Sequence, residues 1–192
     1  MDQKSGEVRA IRVSVVTILG NVVLTILKLA AGLVAHSGAM VSDAVHSASD
    51  VLSTFVVIAG VKLAGKEADR EHPFGHERFE CMAAILLASM LAVTGFGVGW
   101  TGVGNILGGA DALPIPGRVA LAAAVLSIVS KEGMYWYTRA AAKKLNSPSL
   151  MADAWHHRSD ALSSVGSFVG ICGARLGVPE LDPAASVVIC LF

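Results

Sequence analysis

The stretch Ser42-Asp43-Ala44-Val45-His46-Ser47-Ala48-Ser49-Asp50 lies inside an otherwise apolar run spanning residues 39–63. A second stretch, Ala152-Asp153-Ala154-Trp155-His156-His157-Arg158-Ser159-Asp160, lies inside another apolar run, 150–174. Both follow D-A-x-H-x-x-S-D. Histidines and carboxylates embedded in two long hydrophobic segments are costly there and point to function inside a membrane. The runs themselves decide the fold, because a helix needs about 20 mostly apolar residues to cross the bilayer core.

Working outward, three further runs meet that length, at 13–35, 81–107 and 119–138. A sixth begins near Pro183 and stays apolar to Phe192, too short to span as a helix. The expected architecture is an all-α membrane protein. It is a six-helix transmembrane bundle with the sixth helix incomplete and no C-terminal cytoplasmic domain, and its sequence reads as cut within the last span. Residues 1–12 form a short polar N-terminal segment, and 13–192 the transmembrane domain.

Composition agrees. Of 192 residues, 54% are hydrophobic and 16% charged, with a mean hydropathy of +0.62, whereas soluble domains carry about 25% charged residues. Lysine plus arginine equals aspartate plus glutamate at 15 each, so no basic excess exists to hold nucleic acid. Cys81, Cys172 and Cys190 form no CxxC pair and read as small buried apolar residues. The first run is too long for a signal-peptide core and is interrupted by Lys28.

Basic residues set the orientation. Ten lie at the N-terminus and in the second and fourth connections, against Arg118 and Arg175 on the opposite side. The bias predicts a cytoplasmic N-terminus, and the lack of an organelle targeting peptide is compatible with a bacterial inner membrane.

Positions i, i+3 and i+7 share a helical face. Asp43, His46 and Asp50 therefore form one stripe, and Asp153, His156 and Asp160 another. Facing each other, His46, Asp50, His156 and Asp160 supply two imidazoles and two carboxylates, a set suited to a tetrahedral divalent ion, above all Zn2+. Cd2+, Fe2+, Co2+ and Mn2+ are also compatible with these donors. Asp43 falls one turn outward of this quartet and Asp153 one turn inward. Two readings stand for them: release and uptake steps on the ion's path, or support for the ligand histidines. His157 points about 100° away from His156 around the helix and is assigned to packing or a dimer contact. A purely structural reading of the quartet, with Arg158 as counter-ion, explains one constellation but not two.

Two letter matches are weighed differently. Gly97-Val98-Gly99-Trp100-Thr101-Gly102 spells GxGxxG, but inside an apolar span and without a preceding strand. Gly95 and Gly99, with Gly102 and Gly104, instead suit close helix packing. Lys131 and Glu132 are expected to face a polar interior, and as sequence neighbours they do not pair directly. Lys28 is expected to find an acid or to snorkel. No HExxH motif of a metal hydrolase occurs.

The two H-x-x-x-D pairs, the order of spans and the loop Glu71-His72-Pro73-Phe74-Gly75-His76-Glu77 resemble the cation diffusion facilitator (cation efflux) transporters. The resemblance implies export of a divalent metal from the cytoplasm, driven by proton antiport, from a homodimer. It maps the transport site onto His46, Asp50, His156 and Asp160, and a second metal site onto the loop residues Asp69, His72 and His76. The reading that competes with transport is a non-transporting metal-binding or assembly fragment of such a protein.

Overall fold

The computed structural model describes residues 3–64, 78–108 and 113–189. These residues fold into six helices: α1 (Gln3–Val34), α2 (Gly38–Ala64), α3 (Arg78–Leu107), α4 (Arg118–Leu145), α5 (Pro148–Arg175) and α6 (Leu181–Ile189). No strand occurs among the described residues. The first five contain 27 to 32 residues, or about 40–48 Å of helix at 1.5 Å per residue, enough to cross a bilayer core of about 30 Å.

Helix and apolar stretch differ in extent. The helix α1 starts at Gln3, so it runs through most of the polar N-terminal segment. The helix α4 continues past the apolar stretch to Leu145, placing Lys143 and Lys144 in its last turn, where cations complement the negative end of the helix dipole. Hydropathy marks the part of a helix that meets lipid, and the polar turns beyond it carry no such signal.

The bundle is polar inside and apolar outside. Lys28, Asp43, Ser47, Ser127, Lys131, His157, Asp160 and Ser164 are all buried, while Leu19, Val23, Ile26, Phe96, Trp100, Val129, Trp136 and Leu162 are exposed. In water this distribution would be reversed. In a bilayer the outward apolar side chains face lipid and the inward polar groups find partners in one another. The helices α1, α3 and α4 contain segments long and apolar enough to span. The polar stretches quoted above lie in α2 and α5.

Neighbours are set by short connections. The pair α4–α5 packs along its length because only Asn146 and Ser147 join the two helices. Asn146 takes the left-handed conformation (φ 47°) that ends α4, and Ser147 caps α5 by accepting from the Leu150 N–H, with Pro148 in the first turn. The buried face of α4 is Ala120, Ala124, Ser127, Lys131, Tyr135, Thr138 and Ala142. Its small residues let α5 approach. The four helices α1, α2, α4 and α5 enclose the buried polar groups, while α3 and α6 pack on each other and on α2, with α6 also against α5.

The turn from α5 to α6 is closed by Val178 N–H donating to Gly173 O and Gly177 N–H to Ala174 O. Gly177 there has φ +107°, a conformation that needs glycine. The α5–α6 contact is close. A Cβ at Gly170 would overlap the Ala185 side chain and stand 2.9 Å from Leu181 O. In α3, Gly102 serves packing, for a Cβ there would meet Val187 Cγ2 at 2.7 Å. Gly104 has open space instead, so only part of the glycine-rich stretch serves packing.

The first residue of α6 after Leu181 ties it to α2. The Asp182 carboxylate accepts from Ser37 Oγ (2.6 Å), Gly38 N–H (2.6 Å) and Ala39 N–H (3.2 Å). Ser37 Oγ in turn accepts from Met40 N–H at 3.2 Å. Three N–H groups that begin α2 and have no intrahelical partner are thus satisfied by two side chains, one of them 144 residues away.

Candidate metal centre

Two helices bring candidate ligands together. On α2, His46 and Asp50 are one turn apart, with Nε2 3.9 Å from Oδ2. From α5, Asp160 enters the same space. One ligand atom from each of His46, Asp50 and Asp160 lies within 4.8 Å of the others, a spacing from which small side-chain movements reach the separation of about 3.4 Å between two donors of one tetrahedral ion. His156 stands beside this trio, its Nδ1 3.7 Å from Asp160 Oδ1 and its side chain 49% exposed. Three of the four expected ligands therefore converge, and the fourth touches them through Asp160. Asp69, His72 and His76 lie outside the described residues.

Asp160 has a second partner. Lys131 Nζ on α4 donates to Asp160 Oδ2 at 2.5 Å, both side chains being buried. The counter-ion of this carboxylate is thus Lys131, not Arg158. Arg158 instead pairs with Glu132 at 3.5 Å and lies over the rings of Tyr135 and Trp155.

On one side of the trio the bundle is closed by a polar network. Lys28 Nζ on α1 is 2.9 Å from Asp43 Oδ2 and donates to Ser47 Oγ and Ser164 Oγ, each at 3.0 Å. Asp43 also accepts from Ser163 Oγ and Ser164 Oγ, again at 3.0 Å. Ser127 Oγ is 2.9 Å from Ser164 Oγ, which joins α4 to the group. Lys28 thus pairs with an acid and does not snorkel, and Asp43 contacts a lysine and two serines.

On the other side is a cavity of about 310 Å³, lined by Thr17 and Asn21 of α1, Asp50 of α2, and Asp153, His156 and His157 of α5, among others. It occupies the half of the bundle that holds the N-terminal part of α1 and α5 and the C-terminal part of α2. Asp153 lies here, its Oδ2 3.6 Å from His157 Nε2. His157 is 1% exposed and borders the cavity. It is a bundle-interior residue, so of the two expected roles the burial agrees with packing and corrects the dimer contact.

The sequence singles out the candidate ligands but not their surroundings. The signal for Lys131 was its register with Ala124, Ser127, Tyr135 and Thr138 on the small-residue face of α4. The signal for His157 was its register with Leu150, Ala154 and Ala161, the inward positions of α5. Those stripes turn both side chains inward, as expected for Lys131, but they do not name Asp160 as its partner or the cavity that His157 borders.

Comparison with known proteins then settles the family. The family model of the cation efflux transmembrane domain matches residues 14–192. This chain belongs to the cation efflux family. Among its relatives, an uncharacterized transporter of Methanocaldococcus jannaschii is 40% identical over 178 residues, covering 93% of this chain and 62% of the relative. Metal tolerance protein 2 of Oryza sativa is 38% identical, covering 88% and 50%. The manganese efflux system protein MneP of Bacillus subtilis is 31% identical, covering 86% and 55%. The cation efflux chain described here therefore spans about half to three-fifths of the length of these relatives. The resemblance noted from the two H-x-x-x-D pairs is borne out at the level of family.

Proposed function

We propose that this chain exports a divalent metal cation, Zn2+ being best suited, in exchange for protons, through a site formed by His46, Asp50, His156 and Asp160. The observation that carries the reading is the convergence of His46, Asp50 and Asp160 within 4.8 Å, at the end of a cavity and beside a buried network. His156, one turn before Asp160, completes the set by a change of side-chain rotamer. Two nitrogens and two carboxylate oxygens suit Zn2+ and Co2+, and the same donors accept Mn2+ less tightly. MneP is named for manganese, so the ion carried is decided by selection within this shared chemistry.

Coupling to protons follows from the ligands. Metal binding needs neutral imidazoles and ionised carboxylates, so protons and metal compete for the same side chains. Lys131 adds a second competitor. Its ammonium holds Asp160 Oδ2, and an ion ligated by that oxygen must displace it. With the N-terminus cytoplasmic, the cavity faces the cytoplasm, and the Lys28–Asp43 network closes the outward side. Asp153 then lies on the uptake side and Asp43 on the release side. The loop residues Asp69, His72 and His76 form a second metal site in this account, and the working unit is a homodimer.

The test is zinc flux into vesicles containing the reconstituted chain. A pH gradient across the membrane is expected to drive accumulation, and His46→Ala to abolish it. Flux that ignores the gradient would overturn the antiport.

A further inference from the structure

The cavity holds a second histidine–carboxylate pair that the quartet does not use. Residues 153–160 of α5 contain two interleaved pairs at one-turn spacing, His156/Asp160 and Asp153/His157. The second has the reverse order along the chain and so points its carboxylate away from the centre, toward the N-terminal end of α5. Asp153 Oδ2 and His157 Nε2 are 3.6 Å apart. That is too far for a good hydrogen bond. It is close to the separation of about 3.4 Å expected for two ligands at about 2.1 Å from one tetrahedral ion.

His157 is unusual for a buried residue. At 1% exposure, neither of its ring nitrogens has a hydrogen-bond partner among the described residues. Such groups are ordinarily satisfied, because a buried unpaired polar atom costs about 1–3 kcal/mol. On α1, Asn21 Oδ1 is likewise buried without a partner, and it borders the same cavity. Asp153 is 37% exposed, so the pair runs from the accessible part of the cavity to its interior.

We propose that His157 and Asp153, with the Asn21 side-chain oxygen, form a staging site that holds a divalent cation within the cavity before it reaches His46, Asp50 and Asp160. The inference rests on the reading of that trio as the transport site. One imidazole, one carboxylate and one amide oxygen, the remaining positions being filled by water, bind more weakly than two imidazoles and two carboxylates. An ion held there can therefore move on to the deeper site, as multi-site conduction requires.

The experiment uses the full chain in detergent, with Co2+ as probe, followed by its d–d absorption and by calorimetry. The starting variant carries His72→Ala and His76→Ala to remove the loop. Adding His46→Ala and Asp160→Ala is expected to abolish the tight site and leave one weaker site. In that background, Asp153→Asn or His157→Gln is expected to lower the remaining affinity at least tenfold. Asp153 is partly exposed and asparagine has its shape, so this variant tests the idea without disturbing the fold. Absence of any weaker site, or a weaker site indifferent to both substitutions, overturns the proposal. Persistence of the tight site after His46→Ala and Asp160→Ala would instead refute the transport-site assignment.

Discussion

Lys131 on α4 holds Asp160 on α5 through a buried hydrogen bond of 2.5 Å, so the carboxylate proposed to ligate the metal already has a cation of its own. Removing one partner of a buried pair leaves an uncompensated charge, at a cost of about 3–5 kcal/mol. Lys131→Met is therefore expected to lower stability in metal-free buffer by that amount. With the competitor gone, added Zn2+ should stabilise the variant more than it stabilises the wild type, since at one ligand concentration tighter binding stabilises more, as the logarithm of the affinity. Thermal unfolding with and without Zn2+ measures both effects. An unchanged zinc-induced shift would mean that Lys131 and the metal do not share Asp160.

The Lys28–Asp43 pair gives a separate expectation. Lys28→Met should destabilise the protein by about 3–5 kcal/mol, by leaving Asp43 buried without its cation. Lys28→Met combined with Asp43→Leu removes both charges and is expected to recover much of the loss. A double variant as unstable as the sum of the single ones would show that the serines, not the ion pair, hold α1, α2 and α5 together.

Asp182 is expected to matter far from its own helix. Asp182→Ala leaves Ser37 Oγ and the N–H groups of Gly38 and Ala39 without their acceptor. Losing a side-chain cap costs about 0.5–2 kcal/mol, and the burial of Ser37 and Asp182 favours the upper end. Hydrogen exchange should accelerate in the first turn of α2. If only α6 loosens, Asp182 is not the cap of α2.

The contact between α5 and α6 is sensitive to one methyl group. Gly170→Ala forces overlap with Ala185 and with the Leu181 carbonyl and is expected to cost about 1–3 kcal/mol. Gly166→Ala is the control. A Cβ there would meet only Ile189 Cγ1, at 3.8 Å, an ordinary contact, so its stability should stay within about 0.5 kcal/mol of wild type.

The sequence is most informative where chemistry and periodicity coincide. The apolar runs 13–35, 39–63, 81–107, 119–138 and 150–174 each correspond to a helix, because in a bilayer the only open choice for such a segment is a helix with its backbone satisfied internally. The pairs His46/Asp50 and His156/Asp160 were legible because one-turn spacing is a local property of a helix. Partners from other helices were not. Lys28 with Asp43, Lys131 with Asp160, and Asp182 with the start of α2 join positions between 15 and 145 residues apart, and spacing along the chain says nothing of which helices touch. The place of His157 beside the cavity was not legible, because its exposed neighbour His156 matched the repeated pattern.

The proposed transport site requires one metal ion to bind between α2 and α5. Zinc calorimetry on the detergent-purified chain, comparing wild type with Asp50→Ala plus Asp160→Ala, tests it most directly. The double variant is expected to lose one tight site while weaker binding remains. Undiminished tight binding in the double variant would contradict it and move the metal to the loop residues Asp69, His72 and His76.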